Sequence, residues 1–216
     1  MKLLLDLDGT LTDLKPGISR SIEYALVKLG LPVPSEEEFV NLIGQPMKKI
    51  FSELLPDPTD DDINNATALY SERFADEGIY ENSVYPGIKE SLENFHEMGV
   101  GLYLATSKPH TYAARILEHF KMDHLFRGVH GSEMDGTRQD KTELISYVLE
   151  TEGITPRHAT MVGDRAHDIK AGLANNIQTV GVLWGYGTKD ELISAGADLV
   201  VDRPADLDWL LEYYEG

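Results

Sequence analysis

Residues 3–13 read Leu-Leu-Leu-Asp-Leu-Asp-Gly-Thr-Leu-Thr-Asp. An apolar run that does not alternate calls for burial on both faces, which an inner strand of a parallel sheet provides. Asp6 then falls at the C-terminal end of that strand, and Gly9-Thr10 turns the chain. On an extended backbone, residues two apart point the same way, so Asp6 and Asp8 address one spot. Two carboxylates held close repel each other: one keeps its proton, or a cation sits between them. A surface Asp-x-Asp-Gly turn accounts for the same residues. The stretch alone does not choose.

From Leu14 to Val84 the spacing is helical. Ile18, Ile22, Ala25, Leu26 and Leu29 form one apolar stripe, stopped by Gly30. Ser35-Glu-Glu-Glu38 opens a second helix as a capping box, and Gly44-Gln45-Pro46 breaks it. Ile50, Phe51, Leu54 and Leu55 mark a third helix, and Thr59 begins a long fourth one ending near Gly78. No strand is expected in this stretch. After the Tyr85-Pro86-Gly87 turn, helices alternate with short apolar runs at 100–105, 128–130, 159–162, 178–183 and 199–201, and a terminal helix is expected from about Asp206.

That alternation predicts an α/β fold with a doubly wound, Rossmann-like parallel sheet. Val100 lies far from the first run, whereas a crossover needs only about a dozen residues. The helical stretch is therefore an insertion. The expected organisation is an α/β core of residues 1–14 and 84–216 with an inserted all-α cap at 15–83, over the sheet edge where ligands bind.

The 216 residues and 42% hydrophobic content support one sizeable core plus a smaller unit. There are no cysteines, so disulfides and thiolate chemistry are excluded. A net charge of −18 argues against nucleic acid or an anionic membrane as partner. No apolar run approaches the roughly 20 residues of a membrane span, and the N-terminus makes a poor signal peptide. A cytoplasmic protein, monomer or homodimer, is expected.

Four predicted strand ends or helix starts carry polar groups: Asp6 and Asp8; Thr106-Ser107; Lys141; and Gly163-Asp-Arg-Ala-His-Asp168. Each has a structural explanation too. Thr106-Ser107 caps a helix, Lys141 is solvated, and Asp164 and Asp168 suit a helix N-terminus. Their common location at one sheet edge favours a site. Asp6, Asp8 and Asp164 supply hard oxygen ligands suited to Mg²⁺, while Thr106 and Lys141 offer a hydroxyl and a cation to phosphoryl oxygens. The turn amides after Asp6 add donors.

This set resembles the haloacid dehalogenase-like hydrolases over nearly the whole chain, with Asp6-Leu-Asp-Gly-Thr-Leu11 as the first motif. The resemblance implies that Asp6 is the nucleophile, forming an aspartyl-phosphate, and that Asp8 is the acid and base. It implies that Asp164 binds Mg²⁺ with Asp6 and the Asp8 carbonyl, that Asp168 orients a metal-bound water or Lys141, and that Thr106, Ser107 and Lys141 hold the phosphate. The helical insert resembles the small cap of the phosphoglycolate phosphatase and β-phosphoglucomutase branch, with hinges near 14–15 and 84–87. The stretches Glu81–Gly87, Ala105–Pro109, Asp135–Arg138, Gly163–Asp168 and Leu183–Gly187 resemble a 5′-nucleotidase-like subset. Leu14 departs from the Ser of many relatives. Asn176 stands where Gly is frequent, and Asn accepts the left-handed conformation.

The implied activity is Mg²⁺-dependent hydrolysis of a small phosphorylated metabolite, phosphoglycolate phosphatase-like or 5′-nucleotidase-like. Asp8 argues against dehalogenation, which has no alkoxide to protonate. A sugar phosphomutase would use the same residues. A non-catalytic phosphate-binding module is the reading from a different class, and the complete role set argues against it. Gln45, Lys48 and Arg73 are candidates for substrate specificity, Lys48 and Arg73 also fitting an ordinary solvated helix face.

Overall fold

The computed structural model describes residues 1–35, 38, 39, 42 and 47–210. In chain order the first elements are β1 (Lys2–Leu5), β2 (Thr12–Asp13), α1 (Lys15–Lys28), α2 (Met47–Leu54), α3 (Asp60–Asp76) and β3 (Ser83–Val84). There follow α4 (Ile88–Glu97), β4 (Gly101–Pro109), α5 (His110–His119), β5 (Gly128–Ser132) and α6 (Lys141–Thr151). The last are β6 (Ala159–Gly163), α7 (Ala166–Ala174), β7 (Gln178–Val182), α8 (Lys189–Ala195) and β8 (Leu199–Val201). The chain divides into two units, Met1–Asp13 with Val84–Gly216, and Leu14–Ser83.

The first unit holds a six-stranded sheet of order β5-β4-β1-β6-β7-β8. All its pairings are parallel; Leu3 aligns with Leu102 on one side and Thr160 on the other. The unbroken Leu3-Leu4-Leu5 run is thus the inner strand, fully buried as that composition requires. Each such leucine contributes on the order of 1.5–3 kcal/mol by leaving water. Leu4 joins Tyr103, Ala105, Ile145, Val148 and Met161 in one apolar cluster, which seats α6 against the sheet. From β1 the chain builds outward to β4 and β5, then returns to the opposite side of β1 with β6. The order reverses at β1, so the crevice beyond the ends of β1, β4 and β6 is the expected ligand position.

Three expectations need correction. Strand β4 continues through Thr106-Ser107 to Pro109, with a register shift, and no side chain caps α5. Thr106-Ser107 therefore belong to the strand end and are not a helix cap. A separate two-stranded sheet of β2 and β3 places a strand at Ser83–Val84, where only helix was expected; two residues carry too little periodicity to read. Residues Pro204–Asp208 form a 3-10 turn, and the helix expected from about Asp206 begins only at Trp209. Asn176 does take the left-handed conformation, at φ 56°.

In the second unit, Ile22, Leu26, Phe39, Leu42, Ile50, Phe51 and Ala66 form a core of their own. Thr59 and Asp62 exchange hydrogen bonds that cap α3. Arg73 extends both guanidinium arms to Glu81, at 2.8 and 2.9 Å, and reaches Ser21 Oγ at 3.2 Å. Its fork is committed within the unit, which argues against a role in substrate selection. Lys48 is exposed. Gln45 and the Gly44-Gln45-Pro46 break lie outside the described residues. Hydrogen bonds from Arg73, then from Arg20, hold the Glu81 carboxyl below its usual range against the effect of burial. Its contribution is complete above the ordinary carboxylate pKa and fades as pH falls through the lowered folded value. Arg73→Met should cost about 1–2 kcal/mol at neutral pH. Urea titrations at falling pH should show the gap from wild type shrinking. Among the described residues, no helix is long and apolar enough to cross a membrane.

Candidate active site

The end of β1 delivers Asp6 to the crevice. Its amide donates to Val162 O at 3.0 Å, so the backbone stays locked to β6 one residue past the strand. Lys141 comes from the first turn of α6, whose N-terminus is capped by Asp140 through the amides of Thr142 and Glu143. The Lys141 ammonium has three protons and three close partners. It donates to Asp6 Oδ1 at 2.7 Å and to Ala105 O at 2.9 Å, and it pairs with Asp168 Oδ1 at 2.9 Å. All three charged groups are buried. Burial alone would discharge the lysine, yet the Asp168 and Asp6 carboxylates beside it hold its pKa above the ordinary value. Burial likewise pushes Asp6 upward, but the charges of Lys141 and His167 outweigh it and the carboxyl ends lower than usual. Asp6 is thereby kept ionised in an interior that would otherwise protonate it.

Asp8 is placed differently. Its Oδ2 pairs with Lys108 Nζ at 2.9 Å, while its buried Oδ1 has no hydrogen-bond partner among the described residues. Burial pushes its pKa up, against the pull of Lys108. Lys108 was not singled out from the sequence. Alternation does not reveal it, because β4 shifts register between Thr106 and Pro109. Thr106 is buried and its Oγ1 accepts from the Lys108 amide at 3.3 Å. Ser107 O accepts from Ser132 Oγ at 2.8 Å, which ties the end of β4 to β5.

Asp164 follows β6 and is fully buried. Its Oδ2 accepts the Tyr186 amide at 2.8 Å, and Thr10 Oγ1 lies 3.4 Å from Oδ1. Burial first, then the charges of Asp168 and Asp6, push its carboxyl up to about 8. Gly9 sits against it at φ +83°, and a Cβ there would come within 2.3 Å of Asp164 Oδ2. Only glycine permits this approach of the β1 turn to the carboxylate.

Asp168 lies in the first turn of α7, where its Oδ2 accepts the Arg165 amide at 3.1 Å and its Oδ1 holds Lys141. Asp6, His167 and Asp168 also offer ligand atoms within 4.8 Å of one another. A cation already stands between Asp6 and Asp168, however: the Lys141 ammonium. Among the described residues the side-chain oxygens of Asp6, Asp8 and Asp164 do not all come within 4.8 Å of one another, so the set the resemblance implies uses Asp6, Asp164 and the Asp8 backbone carbonyl. Its donors are all hard oxygens, and burial with the charges of Asp168 and Asp6 pushes the Asp164 carboxyl up, a shift that a cation beside it would reverse. These residues fit a small divalent cation.

The site therefore holds an ionised acid aligned by a lysine, a second acid two residues on, and a further acid from the neighbouring strand. Such a set suits transfer of an anionic group to Asp6. A family model described as haloacid dehalogenase-like hydrolase matches residues 3–182. A 5′-nucleotidase of Pseudomonas aeruginosa is 42% identical over 88% of this chain and 86% of its own length. A tyrosine-protein kinase, PtkA, of Mycobacterium tuberculosis is 36% identical over 97% of this chain and 71% of its own. A phosphoglycolate phosphatase of Aliivibrio fischeri is 28% identical over 93% of this chain and 92% of its own. Among solved structures, a predicted phosphatase of Clostridium acetobutylicum superposes with a TM-score of 0.89 at 36% identity, covering 98% of each chain. With its Asp-x-Asp strand end, its lysine-held acid and this similarity along nearly its full length, the chain belongs to the haloacid dehalogenase-like hydrolases.

Proposed function

We propose that the chain is a Mg²⁺-dependent phosphomonoester hydrolase that acts on a small phosphorylated metabolite through an aspartyl-phosphate on Asp6. The observation that carries this is the Lys141 ammonium, 2.7 Å from Asp6 Oδ1 and 2.9 Å from Asp168 Oδ1, which keeps a buried acid ionised at the switch point of the sheet. A buried, ionised and oriented carboxylate is what an attacking group requires. Asp6 attacks phosphorus and the ester oxygen leaves. Asp8, two residues along the same turn, gives that oxygen its proton and later takes one from the hydrolytic water. Thr106 offers its hydroxyl to a phosphoryl oxygen, while Lys141, its three protons engaged, acts on the spreading charge through its field. Lys108 holds Asp8 in place between these steps. Asp6, Asp164 and the backbone carbonyl of Asp8 would hold Mg²⁺, which when bound neutralises the carboxylates next to an anionic substrate. With a net charge of −18 overall, attraction of the phosphate falls to Lys141 and Lys108 within the site.

The 42% identity to a 5′-nucleotidase makes nucleoside 5′-monophosphates the first substrates to try, with phosphoglycolate second. Phosphate release should be followed with Mg²⁺ across nucleoside monophosphates, phosphoglycolate and sugar phosphates. At least one should turn over, EDTA should abolish turnover, and added Mg²⁺ should restore it. Turnover that survives EDTA contradicts the metal assignment. No turnover of any substrate favours the phosphate-binding module instead, and isomerisation of a sugar phosphate without net phosphate release favours a mutase.

A further inference from the structure

The loop Leu183–Gly187 has no part in the chemistry above, yet it meets three segments that frame the site. Trp184 Nε1 donates to Thr10 O at 2.9 Å, in the turn that follows Asp6 and Asp8. Tyr186 is bonded twice over. Its amide donates to Asp164 Oδ2 at 2.8 Å, and its hydroxyl donates to Asp13 Oδ1 at 2.9 Å. Tyr85 also lies beside the Tyr186 hydroxyl. The loop has little slack: a Cβ on Gly185 would stand 2.2 Å from Gly9 O and 2.5 Å from Asp164 Cβ.

Asp13 and Tyr85 mark a particular place. Asp13 ends β2 where the chain leaves the core unit, and Tyr85 follows β3 where it returns; the Tyr85 amide donates to Leu11 O at 3.1 Å. A phenylalanine at 186 would fill the same space as the ring. The hydroxyl reaches Asp13 at the end of β2, and the amide of the same residue reaches Asp164. One residue thus spans from a metal-binding carboxylate to the ribbon through which the chain enters and leaves its insert.

We propose that Tyr186 is a positioning residue that orients the Asp164 carboxylate for a divalent cation and couples that orientation to the β2–β3 ribbon. This rests on the metal assignment made under the proposed function. Coupling of this kind is reciprocal: cation binding steadies the ribbon, and a displaced ribbon weakens cation binding. Partners that orient a metal ligand from behind commonly change affinity by about 10–100-fold.

The test is titration of the metal-free full chain with Mg²⁺ in a calorimeter, with amide exchange followed at residues 11–13 and 83–85. Tyr186→Phe should raise the Mg²⁺ Kd about tenfold. Wild type should gain protection in the ribbon on adding Mg²⁺, and the variant should not. Asp13→Ala should reproduce both effects, Asp13→Asn should stay near wild type because it keeps an acceptor, and Tyr186→Phe/Asp13→Ala should be no worse than either single change. A variant with lowered thermal stability but unchanged Mg²⁺ affinity, additive losses in the double variant, or ribbon exchange indifferent to Mg²⁺ in wild type would each overturn the coupling while leaving the proposed hydrolase standing. A wild-type chain that binds no Mg²⁺ would overturn both.

Discussion

Asp6→Asn is expected to lower phosphatase turnover by at least about 10³-fold while leaving the fold intact, the scale seen when a nucleophile is removed from a site that acts as a unit. The substitution keeps the shape and leaves an amide oxygen for Lys141, which is bonded to Asp6 at 2.7 Å and also to Ala105 O. It removes the charge and with it the capacity to attack phosphorus. Lys141 keeps Asp168 as counter-ion at 2.9 Å, so no buried ammonium is left bare. Circular dichroism and thermal melting should stay close to wild type while phosphate release falls to background. Robust turnover by the asparagine variant would mean that some other group takes the phosphoryl, or that water attacks directly.

Lys141→Met should be damaging in two ways. The side chain keeps its length and loses the ammonium that stands between Asp6 and Asp168, both buried. Removing one partner of a buried ion pair costs about 3–5 kcal/mol, because the charge left behind has neither water nor counter-ion. For a domain of this size that displaces the thermal midpoint by roughly 10 °C, and urea unfolding should show it directly. Turnover should also fall, since burial would then push Asp6 toward protonation with its largest opposing charge gone. A variant within about 1 kcal/mol of wild type would show that the two carboxylates relax around the loss, against the structural role assigned to Lys141.

What could be read from the chain without coordinates followed the length scale of the interactions. Leu3-Leu4-Leu5 declared an inner strand because composition alone demands burial on both faces, and Asp6 inherited its place from that strand. Lys141 and Asp164 were found for the same reason, each standing at the end of a periodic element. Lys108 was missed because its partner, Asp8, lies a hundred residues away in sequence and because β4 was expected to stop at Ala105. Arg73 looked available on a helix face; its partner Glu81 sits beyond the helix end, where helical spacing says nothing. The β2–β3 ribbon was invisible since two-residue strands have no pattern. Tyr186 and Asp13 meet only because the loop after β7 folds back on the β1 turn, a contact of tertiary origin. Gly9 was legible as a turn residue, but not as the residue whose missing Cβ makes room for Asp164.

The covalent intermediate is the claim on which the rest of the chemistry depends. Turnover quenched at steady state, reduced with borohydride and digested for mass spectrometry converts an acyl phosphate on aspartate to homoserine. The mechanism predicts homoserine at position 6 in wild type with Mg²⁺ and substrate, and none when either is withheld or in Asp6→Asn. Substrate turning over with no modified aspartate, or with the modification on Asp8, Asp164 or Asp168 and not on Asp6, would contradict it.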